Sequence, residues 1–489
     1  MKIIASFVLM LWLCNGAMFA VNGTLTDLGD RYLLHVWGNH YERGHALGYL
    51  MGDQIMTVFR DYFFISVVSN NVNVYNSYLQ YYQDHYVTDA RYIQEIQGIV
   101  AGMQESQTDM YHQRLNRDLY EDDLLFVNAV VDLTIGSLNM ACSSLSSWGE
   151  ATLNDPNLEG RLQITRLLDW TRSQALINNS LLVVHHPSEA DEMKWISFTY
   201  PGLIGALSAI TEEKAAAFLN VGNSHPNADT EDLSSVMLNI RSGLELRDFN
   251  GDGVYCNEDI FDALLAGKHL SGSIIHNVQE WADSSRAMVI ETNNSGTVRR
   301  VHGENSGVAG DNLAATNHFR KLTNATYCPR YNKIVDSLAV NSEVDIPRQW
   351  QLMKGAGGVT TNLMMIQYLP SQHTVLWANA TPYYAAHTQE PQYFDLNELF
   401  TQPTGNMDAT QLPQPSLKLY PNPLSPQGDL KDKSGRELKR VRIYNLKGQL
   451  IYDESSLPKS EDMGSTGLYF VLSEDASGRQ YRNRIIFQK

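Results

Sequence analysis

Residues 140–152 read Met140-Ala141-Cys142-Ser143-Ser144-Leu145-Ser146-Ser147-Trp148-Gly149-Glu150-Ala151-Thr152. A lone cysteine stands among small residues where the texture of the chain changes. Before it, apolar residues recur at helical spacing: Leu47, Leu50, Met51, Ile55 and Phe59 within Tyr41–Phe59, then again over 90–103 and 121–133. After it come short β-rich runs: Leu181–His185, Trp195–Tyr200, Ala215–Val221, Ala287–Thr292 and Thr374–Asn379. Gly, Asn and Pro clusters separate several of them. Helical patterns at Leu233–Leu246 and Arg330–Leu338 alternate with these runs, which predicts an α/β layered domain with sheets at its centre.

A free cysteine is more often a small buried hydrophobe than a nucleophile. Chemistry at Cys142 requires a nearby base, because only the thiolate attacks and a free thiol has a pKa of about 8.5. An α-amino group, with a pKa of about 7.7–8.0, is a suitable base at neutral pH. Cys142 acquires one only if the bond before it is cut. Its own thiol can do this by attacking the Ala141 carbonyl in an N-to-S acyl shift, and the small side chain of Ala141 leaves that carbonyl approachable.

Downstream, residues 160–170 read GRLQITRLLDW. On a strand, Thr165, Leu167 and Asp169 share one face and Arg166 lies opposite. Arg166 suits a thiolate and Asp169 suits the freed amino group; an ordinary surface ion pair is the other reading. Asn317, in Ala314–Phe319, is either a donor to a developing oxyanion or a turn residue. Asn220 is either a second polar contributor or a buried strand-end residue. Arg330 reads as a structural residue at a helix start.

The chain has 489 residues, 43% hydrophobic and 19% charged, with a formal net charge of -17. That is a globular composition, and the acidic balance argues against nucleic-acid binding. Residues 1–20 place one Lys before a short apolar run and small residues around Ala17 and Ala20, the pattern of a secretory leader. Without it, three cysteines remain: Cys142, Cys256 and Cys328. Pairing of Cys256 with Cys328 in an oxidising compartment leaves Cys142 as the odd thiol.

Asp248-Phe249-Asn250-Gly251-Asp252-Gly253 opens a twelve-residue segment ending at Asp259. Oxygen donors at Asp248, Asn250, Asp252 and Asp259, the carbonyl of Val254 and the glycine at position six form an EF-hand-like spacing. The segment reads as a structural Ca²⁺ loop or a metal-free turn; it resembles a single dockerin-like repeat. His185, His186 and His225 lack paired ligand spacing. Residues 402–416 are polar and Pro-rich, a linker. Short strands follow at Arg442–Tyr444, Gln449–Tyr452, Leu468–Leu472 and Arg484–Phe487, the spacing of a small β-sandwich.

Four segments together resemble the acyl-CoA:6-aminopenicillanic acid acyltransferase family, related in fold to the choloylglycine hydrolases and penicillin V acylases. They are Gly38–Gly44 with Leu47-Gly48, Cys142–Ser144 with Trp148–Thr152, Arg166–Trp170, and Thr316–Phe319, in the family's order over about residues 30–395. The resemblance implies a four-layer αββα N-terminal-nucleophile hydrolase fold and cleavage at Ala141–Cys142. It implies Cys142 as nucleophile, its new amino group as base, Arg166 and Asp169 as orienting groups, and Asn317 in the oxyanion hole. No cofactor is implied for catalysis. Leu167 departs from the family, which has Asn there. From Leu419-Tyr420-Pro421-Asn422-Pro423 onward the chain resembles the type IX secretion sorting tail of Bacteroidetes-like bacteria.

The expected divisions are a leader at 1–20, a helical propeptide-like part at 21–141, and a catalytic region at 142–401 with the calcium-loop insertion at 248–259. A linker at 402–416 and a sorting β-sandwich at 417–489 follow. The expected protein is a secreted or outer-membrane-surface cysteine amidohydrolase or acyltransferase of a Gram-negative bacterium. Its partners are a small-molecule or peptide amide and the type IX export machinery, with surface attachment after export. Two alternatives stand beside it: a non-catalytic surface binding protein of the same fold, and a papain-like Cys-His enzyme that works without cleavage.

Overall fold

The computed structural model describes residues 21–133, 141–222, 231–280, 286–305 and 307–403. In the C-terminal part it describes 419–420, 424, 429–432, 438–445, 449–463, 466–475 and 480–487. The leader, most of the linker and Pro421–Pro423 lie outside these residues. The chain divides into two compact units, Met1–Met407 and Asp408–Lys489.

The first unit holds a nine-stranded and a six-stranded sheet. The larger runs in the order Gly23–Asp27, Tyr32–Gly38, Leu181–Pro187, Trp195–Thr199, Ser208–Thr211, Ala215–Val221, Ser273–Gln279, Ala287–Asn293, Gly296–Val301. It is mixed: Tyr32–Gly38 pairs parallel with Leu181–Pro187 and the other neighbours are antiparallel. The smaller sheet is antiparallel, in the order Asn312–Ala315, Ser143–Ser147, Gln163–Asp169, Asn362–Leu369, Thr374–Asn379, Gln392–Asp395. The sheets face each other: Arg166 donates to the Leu219 carbonyl, Arg300 to the Ala314 carbonyl, and His276 bonds Ser144 and Ser146. Helices Val236–Glu245 and Asn257–Ala266 pack on the larger sheet, and Ile346–Gly357 packs on the smaller one. Strands such as Ala215–Val221 and Asn362–Leu369 are buried along their whole length, which explains their continuous apolar runs.

The part before Cys142 is not only helical. Gly23–Asp27 and Tyr32–Gly38 are strands of the larger sheet. Tyr32–Gly38 lies beside Leu181–Pro187, from the other side of Cys142, so a cut at Ala141 would leave two chains sharing one sheet. The expected helices form at His40–Val58, Ala90–Glu105, and Glu121–Val127 with Val130–Leu133.

The segment Gly38–Gly44 builds a junction remote in kind from catalysis. Asn39 caps the first helix in a capping box with Glu42. Buried His40 lies 2.8 Å from Glu95 through Nδ1 and 2.7 Å from Glu192 through Nε2. Arg43 pairs with Glu192, and Arg241 with Glu95 and Glu245. Both His40 nitrogens face carboxylates, so the ring is an imidazolium. Burial pulls its pKa down, but the bonds to Glu192 and Glu95 outweigh this and hold it at about 8.

Helices His40–Val58 and Ala90–Glu105 cross at glycines spaced by four. A Cβ on Gly44 would stand 1.9 Å from the Glu95 carbonyl oxygen, and one on Gly48 2.0 Å from that of Ile99. From the other helix, Gly98 and Gly102 meet the Tyr41 and His45 carbonyls at 2.1 Å in the same sense.

The second unit has a four-stranded antiparallel sheet, Leu450–Glu454, Leu438–Asn445, Gly467–Asp475, Gln480–Phe487, and a two-stranded ribbon, Leu419–Tyr420 with Lys431–Asp432. Leu424, Val441, Ile443, Val471, Ile485 and Phe487 lie in its core.

Candidate active site around Cys142

Ser143–Ser147 lies between Gln163–Asp169 and Asn312–Ala315 in the smaller sheet. Ser144 stands opposite Ala315 on one side and Arg166 on the other. Carrying that register two residues further sets Asn317 across from Cys142, and three residues further sets Asp169 across from Ala141. The Ala141 N–H donates to the Asp169 carbonyl at 3.1 Å. Residues far apart in sequence thus meet near Ala141–Cys142 because adjacent antiparallel strands end there.

Cys142 is fully buried, and its sulfur lies 3.9 Å from the Asp169 carbonyl oxygen. Burial pushes the thiol pKa up and the Asp169 charge adds to this, while Arg166 and Arg330 pull it down. In the uncleaved chain the thiol keeps its proton at neutral pH.

Arg166 is buried and donates through one nitrogen to the Leu219 carbonyl at 2.7 Å. Its Nε and its other terminal nitrogen have no hydrogen-bond partner among the described residues. Burial lowers its pKa, and Cys142 and Asp169 oppose that. Asp169 is also buried. Burial raises its pKa to about 7, against the pull of Arg330, a hydrogen bond from the Asn362 side chain, and Arg166. The sequence set Asp169 and Arg166 on opposite faces of one strand. The structure brings both to Cys142, at a strand end where the ladder register breaks between Asn362 and Met364.

Asn317 donates to the Val221 carbonyl at 2.6 Å and accepts from Arg330 at 2.7 Å. Asn220 donates to Ser144 Oγ at 3.2 Å, and its own Oδ1 has no partner among the described residues. The strand Ala215–Val221 therefore faces the site with three consecutive residues: the Leu219 carbonyl, the Asn220 amide and the Val221 carbonyl.

Arg330, read from the sequence as a structural residue at a helix start, also reaches Cys142 and its neighbours. It sits in the first turn of helix Pro329–Val340. One nitrogen contacts the carbonyl oxygen of Ala141, that of Cys142 at 2.5 Å, and Ser143 Oγ at 2.6 Å. It also lies 3.9 Å from Asp169. Arg330, rather than Asn317, contacts the Ala141 carbonyl. The available signal was Pro329, which fixes the helix start and so the direction in which Arg330 points.

Cys256 and Cys328 are both free, each at the N-cap of a helix. The calcium-type loop is held by its own backbone. Gly253 N–H donates to Asp248, Asp252 N–H to Asn250, and Val254 N–H to Asp252. Both Asp259 oxygens are taken, by the N–H groups of Phe249 and Cys256 at 2.8 Å each. Among the described residues, the one close group of candidate metal ligands is His40, Glu192 and Glu245. Those three already pair with one another or with Arg43, Arg241 and Tyr92.

The Asp169 carboxyl makes a pH-dependent prediction. Its proton is held more tightly folded than unfolded, so the stability it contributes is present below the ordinary value of 3.8 and drains as pH rises toward 7. In a chain kept uncleaved by Cys142→Ala, adding Asp169→Asn is expected to raise stability at pH 8 by up to about 4 kcal/mol. At pH 4 the two chains should unfold at the same denaturant concentration.

No family model matches the chain. The chain is 24% identical over 218 residues to "Protein dcd1B" of Dictyostelium discoideum, covering 39% of each; it thus spans well under half the length of this curated relative. A Caenorhabditis elegans N-acylethanolamine-hydrolyzing acid amidase ortholog aligns with 52% of this chain and 100% of its own, at 15% identity and a TM-score of 0.35. Penicillin V acylase from Agrobacterium tumefaciens aligns with 55% of this chain and 93% of its own, at 10% identity and a TM-score of 0.35. A mutant conjugated bile acid hydrolase from Clostridium perfringens aligns with 53% of this chain and 95% of its own, at 9% identity and a TM-score of 0.34.

Proposed function

We propose that the protein is a cysteine-dependent amide hydrolase of the N-terminal-nucleophile type, activated by cutting its own chain between Ala141 and Cys142. The observation that carries this reading is a buried ionisable set at one thiol: Arg166, Asp169 and Arg330 all act on the charge of the Cys142 sulfur, and Arg330 contacts the Ala141 carbonyl oxygen. Buried charges without direct partners are costly in a finished core, and such a set suits groups that arrive later.

Cleavage supplies one of those groups. The Cys142 sulfur attacks the Ala141 carbonyl, held by Arg330, and the C–N bond breaks as a thioester forms. Water then hydrolyses the thioester, leaving a carboxylate on Ala141 and a free α-amino group on Cys142. As an ammonium that group is a partner for Asp169, and its charge lowers the Asp169 pKa. As an amine it takes the thiol proton, and Arg166 stabilises the thiolate.

Turnover follows the same course. The thiolate attacks a substrate amide carbonyl, with Asn220 and Asn317 as candidate donors to the oxyanion. The amine leaves with a proton from the Cys142 ammonium, and water hydrolyses the acyl-enzyme. Hydrolysis is favoured over transfer because the expected leader and sorting tail would send the protein outside the cell, where water is abundant and acyl-CoA is not. A Ca²⁺ at 248–259 enters this proposal only as a structural ion.

Mass spectrometry of the purified protein tests the reading. Two fragments are expected, the second beginning at Cys142, with that cysteine the one alkylated fastest by iodoacetamide. An intact chain with an inert Cys142 overturns it.

A further inference from the structure

Two serines of strand Ser143–Ser147 meet a histidine that the chemistry above does not use. His276, fully buried on strand Ser273–Gln279, bonds Ser144 Oγ through Nδ1 at 2.9 Å and Ser146 Oγ through Nε2 at 2.8 Å. Ser144 Oγ also accepts from the Asn220 amide nitrogen at 3.2 Å. Ser146 Oγ donates, over a long 3.4 Å, to the Leu313 carbonyl. These four contacts form one continuous line across the space between the sheets.

Counting protons fixes the direction of that line. Ser146 has one hydroxyl proton and gives it to the Leu313 carbonyl, so it accepts from His276 Nε2–H. His276 Nδ1 is then bare, and Ser144 gives its proton there. The opposite tautomer would take the Ser146 proton away from Leu313 and let Ser144 donate to a flipped Asn220. Burial and nearby Arg300 keep the imidazole neutral, with a pKa of about 3, so the Nδ1 that accepts from Ser144 stays unprotonated near neutral pH.

The consequence falls on Asn220. An amide can present nitrogen or oxygen to a hydroxyl, and the two orientations differ by a flip. With its proton committed to His276, Ser144 can only accept. Asn220 must therefore turn its nitrogen toward the strand that begins at Cys142. Without His276, Ser144 is free to donate, and the flipped amide sets an acceptor where a developing oxyanion needs a donor.

We propose that His276 is a positioning residue for amide hydrolysis: through Ser144 it holds Asn220 with its N–H groups toward the Cys142 site. This rests on the amide-hydrolase reading above. The test uses cleavage of a decanoyl amide of 7-amino-4-methylcoumarin by the full chain. His276→Leu is expected to lower kcat by about 10²-fold, leave KM nearly unchanged, and keep the unfolding midpoint within the range of other core variants. His276→Asn, which returns an acceptor toward Ser144, is expected to recover most of the rate. Asn220→Ala is expected to cost as much as His276→Leu, and the double variant no more than either alone.

Should His276→Leu fail to fold, Ser144→Ala cuts the same line with a smaller change, and the same loss and the same lack of additivity with Asn220→Ala are expected. A folded His276→Leu or Ser144→Ala with unchanged kcat overturns the proposal, as does a loss that multiplies with that of Asn220→Ala. Wild-type protein with neither coumarin release nor a fragment beginning at Cys142 overturns the hydrolase reading itself, and this proposal with it. Wild-type activity that Cys142→Ala destroys and His276→Leu spares overturns this proposal alone.

Discussion

Cys142→Ala is expected to give one uncleaved chain with amide hydrolysis reduced by at least about 10⁴-fold. A single sulfur atom is asked to do two things. In the proposed reaction it cuts the Ala141–Cys142 bond and attacks the substrate. Removing it stops both, since no second nucleophile in this site is activated. Ser143 Oγ is engaged by Arg330, and Ser144 Oγ by Asn220 and His276. The fold should survive the change. Cys142 is a small buried side chain, and replacing it by alanine removes one sulfur without opening a large cavity. Denaturant unfolding should therefore show an intact cooperative transition beside the lost activity. A fragment that still begins at position 142 in this variant would falsify self-cleavage by the cysteine.

Gly48→Ala is expected to destabilise the first unit by at least about 4 kcal/mol. Helix propensity alone predicts the reverse, a gain of about 1 kcal/mol for alanine in a helix interior. Packing decides. The added Cβ stands 2.0 Å from the Ile99 carbonyl oxygen, which is backbone and cannot swing aside. The helices must separate, opening the contact along Gly44, Gly98 and Gly102 and pulling on the buried His40–Glu95 pair. Gly355, exposed in helix Ile346–Gly357, is the matched control. Nothing lies within 4 Å of a Cβ there, so Gly355→Ala is expected to show the propensity gain by itself. Parallel thermal melts of the two variants check both signs.

How much of this was legible beforehand depends on the range of the interaction. Helix and strand positions follow from local periodicity, and Ala215–Val221 and Thr374–Asn379 have the same bounds in sequence and structure. The order of Cys142, Arg166, Asp169 and Asn317 along the chain was enough to nominate them together. The first two strands were hidden by the long helical stretch that follows them. The glycine spacing in Gly44, Gly48, Gly98 and Gly102 was visible, but its meaning depends on which helix lies opposite.

By itself the sequence determined an α/β unit with a separate β-rich tail, a lone cysteine at the border between helical and strand-rich halves, and the residue types needed to use it. Only the tertiary structure decided where those residues go. Strand register carried Asn317 toward Cys142, and the fold brought Asp169 and Arg166 together at its sulfur. The start of a distant helix delivered Arg330 to the Ala141 carbonyl. Cys142 is a candidate nucleophile for a reason no local pattern contains: Arg166, Asp169 and Arg330 meet at its buried sulfur only in the folded chain.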